Sequence, residues 1–205
     1  MKILGVDTTR KCASIYIIGD DNYTVYSLGE NEKQSEFLML SLDKFLQENN
    51  CQLSDFDCFG VIVGPGSFTG IRVGIATIKA FAYALNKKIV SSTVFDIVKD
   101  DIKNGIFLTE CTSTTSYYAD IVKGKIAKCG VIDKDDIVGF NKELFILEDE
   151  HNLRSMAYKF NVLNDYSNLC SNKLLQLANK ADFTSPEPYY VQLSQAERNL
   201  EKKND

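Results

Sequence analysis

The chain has 205 residues, 44% of them hydrophobic and 25% charged, which is the composition of a globular protein with one large domain or two small ones. Lys and Arg total 23 against 28 acidic residues, a net charge of -5, which excludes a protein that neutralises many nucleic-acid phosphates unaided. The six cysteines contain no C-x-x-C, which excludes zinc ribbons and thioredoxin-like redox motifs and suits reduced thiols in a cytoplasm.

Along the chain, Lys2 to Val6, Ala13 to Ile18 and Tyr23 to Leu28 read as three strands of an antiparallel meander, the last two joined by the turn-forming Gly19-Asp20-Asp21-Asn22. Asp7 interrupts the apolar start too early for a signal peptide. A helix capped by Ser35 runs to about Asn49, with Leu38, Leu42, Phe45 and Leu46 on one face and Phe37 and Leu40 widening the apolar perimeter. Cys58 to Val63 is a continuous apolar run, as expected for a strand covered on both faces. Beyond Gly64 to Gly70, a helix runs from Ile71 to Leu85 with small residues at Gly74, Ala76, Ala80 and Ala84. Lys88 to Val90 follows as a strand. The best membrane-span candidate, Ile71 to Leu85, carries Arg72 and Lys79, so no bilayer crossing is expected.

The second half predicts a hairpin of residues 116 to 122 and 125 to 132 around Gly124, a short strand Leu144 to Leu147, and an amphipathic helix Leu169 to Ala181 ended near Pro188. No internal repeat is visible. The expected organisation is one lobe over 1–95, a smaller lobe over 96–195, and a frayed charged tail over 196–205.

Two segments are candidates for chemistry. Gly64-Pro65-Gly66-Ser67-Phe68-Thr69-Gly70-Ile71-Arg72-Val73-Gly74 lies between a strand and a helix and can form a backbone nest for phosphate or carboxylate. It lacks the Lys of a Walker A loop and the spacing of a nucleophile elbow, and from spacing alone it reads more readily as a tight turn in which Ser67 or Thr69 caps the helix. Asp7-Thr8-Thr9, after the first strand, can hold a magnesium nucleotide or simply build a turn. The single histidine, His151, stands among Glu148, Asp149 and Glu150 as a solvated side chain, and one histidine cannot supply a His pair for a catalytic metal. No catalytic constellation and no metal site are expected.

Lys2-Ile3-Leu4-Gly5-Val6-Asp7-Thr8-Thr9 together with the glycine block Gly64 to Gly74 resembles the TsaB (YeaZ) family. The similarity is strong over about the first 95 residues and continues at Pro188-Tyr189-Tyr190-Val191. The resemblance implies an α/β, actin-like (ASKHA, ribonuclease H-like) fold of two βββαβα lobes related to the M22 glycopeptidase-like proteins, the second lobe degenerate. It implies a non-catalytic scaffold in tRNA threonylcarbamoyladenosine synthesis, pairing with TsaD, with TsaE as a further partner and tRNA reached through the complex. ATP and a metal would belong to those partners, and the isolated chain would need no cofactor. Two segments depart from the family: Gln34-Ser35-Glu36 replaces His-Ser-Glu, and Thr109-Glu110-Cys111 stands where an aspartate-alanine-arginine segment is usual.

On this reading the first two helices form the docking face, with Phe37, Leu38, Ser41, Gly74, Ile75 and Ile78 as contacts, and the chain alone forms a homodimer. The rivals are a small ATPase or kinase gripping nucleotide through Asp7, Thr8 and the loop residues Gly64, Pro65, Gly66, Ser67, Thr69, Gly70 and Arg72, an M22-like metallopeptidase, and a free-standing tRNA-binding module.

Overall fold

The computed structural model describes residues 1–29 and 34–191, apart from the side chains of Gln34 and Ser35. The expected cap at Ser35 and the tail 196–205 therefore lie outside the described residues. Two compact units are formed by the described residues, one from 1–97 with 165–188 and the other from 98–164 with 189–191.

In the first unit, β1 (Ile3–Asp7), β2 (Ser14–Ile18) and β3 (Tyr23–Ser27) form the expected meander. Next come α1 (Gln34–Glu48), β4 (Cys58–Ile62), α2 (Phe68–Leu85) and β5 (Lys88–Ser92), then the short α3 (Val94–Val98). The sheet order is β3-β2-β1-β4-β5, with β1, β4 and β5 parallel. Parallel central strands must be covered on both faces, and β1 and β4 are buried throughout.

One cover is α5 (Tyr166–Asn179), whose Leu174 enters a notch left by two paired glycines. A Cβ on either Gly5 or Gly60 would stand 2.9 Å from Leu174 Cδ1. Side chains alternate along a strand, so neighbouring Phe59 points the other way and meets Phe81 of α2, ring centroids 5.9 Å apart.

By length and composition alone, the 18 residues of α2 are apolar enough to cross a membrane. In this fold it is a core helix instead: Ile71, Gly74, Ile75, Ile78 and Ala82 are buried over the sheet. The helix also starts earlier than its apolar period suggested, because Ser67 caps it by accepting the Gly70 amide.

The second unit contains β6 (Asn104–Glu110), β7 (Thr115–Val122), β8 (Lys125–Asp133), β9 (Leu144–Leu147), α4 (His151–Arg154) and β10 (Phe160–Leu163). Its order, β10-β9-β6-β7-β8, repeats that of the first sheet, with a meander followed by two parallel strands. The helices do not repeat in size. A 3-10 turn over Lys134–Gly139 and the four-residue α4 occupy the places that α1 and α2 hold in the first unit. This is the actin-like, two-unit α/β architecture with a degenerate second unit. The two βββαβα lobes implied by the resemblance are thus present, and no internal repeat is visible in the sequence because the duplication survives in strand order.

The helix expected over 169–181 is α5, and it packs in the first unit although its sequence position falls in the second half. The following segment stays with it: the Thr184 amide donates to the Ile89 carbonyl at 2.8 Å, beside β5.

Candidate functional site

Because β1 and β4 are parallel neighbours, the segments leaving their C-terminal ends, Asp7-Thr8-Thr9 and Gly64 to Gly70, come together, where open α/β sheets carry their ligand sites. The two segments are stitched to each other. The Ser67 amide donates to the Thr9 carbonyl at 2.7 Å, and the Thr8 hydroxyl donates to the Gly70 carbonyl at 2.7 Å. Ser67 Oγ accepts the Gly70 amide at 3.1 Å, and the Gly64 carbonyl accepts the Val94 amide at 2.8 Å.

The glycines permit this closeness. A Cβ on Gly66 would fall 2.1 Å from the Thr9 carbonyl oxygen, and one on Gly74 would fall 2.2 Å from Thr8 Oγ1. Of the turn's polar groups, those of Thr8, Ser67 and Gly70 are spent inside the protein. Pro65 is buried, whereas Thr69 and Arg72 face solvent on the first turn of α2, with the Arg72 guanidinium 4.1 Å from the centre of the Phe68 ring.

Asp7 is 1% exposed. Its Oδ1 accepts both the Thr9 amide at 2.8 Å and the Thr9 hydroxyl at 2.6 Å, and its Oδ2 accepts the Tyr166 hydroxyl at 3.0 Å. Burial pushes the Asp7 carboxyl above the ordinary carboxylate range, opposed by these hydrogen bonds and by the Arg10 charge. Burial likewise drives the Tyr166 and Tyr16 phenols and the Cys170 thiol upward. Arg10 stacks over the Tyr166 ring, 5.0 Å from its centroid.

The arrangement is a buried polar knot under the loop. Sequence reading found Asp7 but missed Tyr16, Tyr166, Cys170 and Arg10. Tyr166 lies 159 positions away on α5, and no local spacing signals that contact.

Among the described residues no group of three or more His, Cys, Asp or Glu side chains is placed to hold a metal. His151 is exposed at the start of α4, as its acidic surroundings suggested. The divergent Thr109-Glu110-Cys111 segment does structural work through buried Glu150. That carboxylate accepts the Thr109 hydroxyl at 2.5 Å and the Glu110 amide at 2.9 Å. Glu110 in turn accepts the Asn152 backbone amide at 2.9 Å and side-chain amide at 2.8 Å.

The docking residues expected on the first two helices need correction. Leu38, Ser41, Gly74, Ile75 and Ile78 are buried in this unit's own core, and Phe37 is half-buried. The amphipathic period was right, but the sequence could not say which face turns inward. The outward faces carry Met39, 53% exposed, and Leu40, 66% exposed, on α1, and Tyr83, 92% exposed, on α2. On α2 the half-buried Val73 and the exposed Ala76 and Ala80 align with Tyr83 at helical spacing.

Residues 31–93, which carry α1, β4, α2 and β5, match the family model described as TsaD: tRNA N6-adenosine threonylcarbamoyltransferase. The chain is 30% identical over 108 residues to the tRNA N6-adenosine threonylcarbamoyltransferase of Brachyspira hyodysenteriae, a match covering 44% of this chain and 32% of that protein. It is 29% identical over 89 residues to the tRNA threonylcarbamoyladenosine biosynthesis protein TsaB of Bacillus subtilis, covering 42% of this chain and 38% of that one. The chain thus spans less than two thirds of the length of either curated relative.

Among solved structures, YeaZ from Pseudomonas aeruginosa superposes with a TM-score of 0.67 at 14% identity, covering 93% of this chain and 99% of that one. A second structure, an uncharacterized protein from the same organism with similarity to peptidase YEAZ, gives 0.68 at 17%, with the same coverage. The chain thus shares the YeaZ fold along almost its whole length and, over part of that length, is similar in sequence to TsaB and TsaD.

Proposed function

We propose that this chain is a non-catalytic subunit of the machinery that makes threonylcarbamoyladenosine in tRNA. In this reading it docks a TsaD-like partner through the outward faces of α1 and α2 and leaves the group transfer to that partner. The observation that carries the reading is the apolar surface of Met39, Leu40, Val73, Ala76, Ala80 and Tyr83. It suits helix-to-helix contact, because the alanines let another backbone approach while the larger side chains supply buried area. The TsaD family match falls on the segment that carries these helices. A TsaE-like ATPase joins the pair in this reading, and a second copy of the chain covers the same face when the partner is absent.

The knot around Asp7 supports the absence of chemistry in this subunit. A carboxylate whose two oxygens already accept from Thr9 and Tyr166 is poorly placed to hold a magnesium nucleotide.

The test is co-purification with a TsaD-like protein, comparing the wild-type chain with Ala76→Glu and Tyr83→Glu. Both positions are exposed, so the variants keep their circular dichroism and melting profile while capture of the partner is lost. Capture at the wild-type level by both folded variants would overturn the docking face. Turnover of ATP, or tRNA modification, by the chain alone would overturn the non-catalytic role.

A further inference from the structure

Outside the docking face, the most one-sided charge in the second unit gathers at one end of its sheet. β7 and β8 are joined by Lys123 and Gly124, whose φ values of 52° and 69° suit a two-residue hairpin turn. That tip is fixed to the beginning of β6. The Gly124 amide donates to the Lys103 carbonyl at 3.0 Å, and the Lys123 amide donates to Asn104 Oδ1 at 3.1 Å. A Cβ on Gly124 would stand 3.9 Å from the Lys99 carbonyl oxygen, so that backbone is close as well. Lys125 opens β8 opposite Val122, and Lys128 follows on the same strand.

Lys103, Lys123, Lys125 and Lys128 are all exposed. Lys142 differs from them, because both oxygens of Asp120 hold it, at 2.5 and 2.7 Å. None of the four has a carboxylate partner among the described residues. Asp100 and Asp101, just before β6, offset part of this charge, and the cluster stays cationic in a chain whose net charge is -5.

We propose that this hairpin end is a contact surface for the phosphodiester backbone of RNA, an inference that rests on the tRNA role proposed above. Lysines act on phosphates as flexible point charges and need no geometric match to bases, which suits a turn carrying cations and no stacking aromatic. A membrane surface is the less suitable polyanion. Interfacial binding needs apolar anchors beside the cations, and among the described residues the only large apolar side chain exposed on the β7–β8 hairpin is Val122, at 38%. The subunit in this role adds a few phosphate contacts to a grip supplied mainly by its partner, which reconciles an acidic chain with an RNA substrate.

The experiment measures binding of an unmodified tRNA transcript across a salt series. It uses the full-length chain alone and mixed with a TsaD-like protein, and compares wild type with Lys123→Gln/Lys125→Gln. A second variant, Lys159→Gln/Lys180→Gln, removes the same charge from other exposed positions. If both hairpin lysines contact phosphates, the slope of log K against log salt falls by about 2. Affinity at 0.1 M salt then drops at least roughly tenfold, while the control variant matches wild type.

An unchanged slope with partner capture intact overturns the RNA surface and leaves the assembly standing. Lysine-dependent tRNA binding by a chain that captures no partner supports the surface and sinks the assembly instead. Binding of the hairpin lysines to phosphatidylserine vesicles, with no lysine-dependent binding of tRNA, also overturns the proposal.

Discussion

Leu174→Ala tests how the first unit is held together. Leu174 is fully buried and inserts between Gly5 and Gly60, which pair in register at the centre of the sheet. Removing a buried leucine side chain costs about 2 to 5 kcal/mol, and the figure depends on how far the surroundings collapse. Here two of the walls are glycine backbones in parallel strands locked by their neighbours. They have no side chains to fill the space, so the loss should lie near 3 to 4 kcal/mol, about the middle of that range. For a domain of this size each kcal/mol shifts the melting temperature by roughly 3 °C, giving a fall of about 10 °C.

The assay is urea unfolding of the full chain, reading the midpoint and the slope together. Gly60→Ala sharpens it, because the added methyl would lie 2.9 Å from Leu174 Cδ1 in the wild type. In that background it overpacks, at about 1 to 3 kcal/mol, whereas in Leu174→Ala it enters vacated space. The two substitutions should therefore couple by about 1 kcal/mol or more in the compensating direction. A loss below about 1 kcal/mol for Leu174→Ala, or strict additivity of the pair, would refute the packing argument.

Two further outcomes are expected. The Asp7 carboxyl is raised by burial, so the folded state holds a proton that the unfolded state has released, and stability should fall as pH climbs from about 4 toward neutrality. Asp7→Asn removes that titration. Its urea midpoint should gain on wild type across the same interval, and parallel profiles would contradict the assignment. Glu150→Gln leaves an amide facing a donor at Thr109 or Glu110, which should lower the stability of the second unit by about 1.5 to 3 kcal/mol, read as faster amide exchange at Glu110 and Asn152.

The sequence made the first sheet legible because each of its elements announces itself locally: turn residues between β2 and β3, a continuous apolar run in β4, helical spacing in α1 and α2. It also identified the segment around Gly64 to Gly74, and the turn interpretation of that block agrees with the stitching of Ser67 and Thr8. The apolar period of α1 and α2 was visible, but Leu38 and Ile78 stand at positions where two faces were both apolar enough to turn inward. Only packing against the sheet decides between them. The Asp7 knot was hidden because its hydroxyl donor at Tyr166 arrives from a helix of the second half, and β6 and β10 went unread although Asn104-Gly105 opens the one and Asn164-Asp165 follows the other.

The return of α5 to the first sheet has a consequence for biosynthesis. When the ribosome has completed residues 1–97, five strands and their two long helices exist, but the side of the sheet lined by Gly5 and Gly60 still lacks Leu174 and the rest of its cover. The nascent polypeptide must carry that oily flank unprotected until residues 165–188 emerge, at least several seconds later at roughly 5–20 residues per second. Interrupted translation products of this gene should thus be substrates for chaperones and proteases, however well formed their opening strands are.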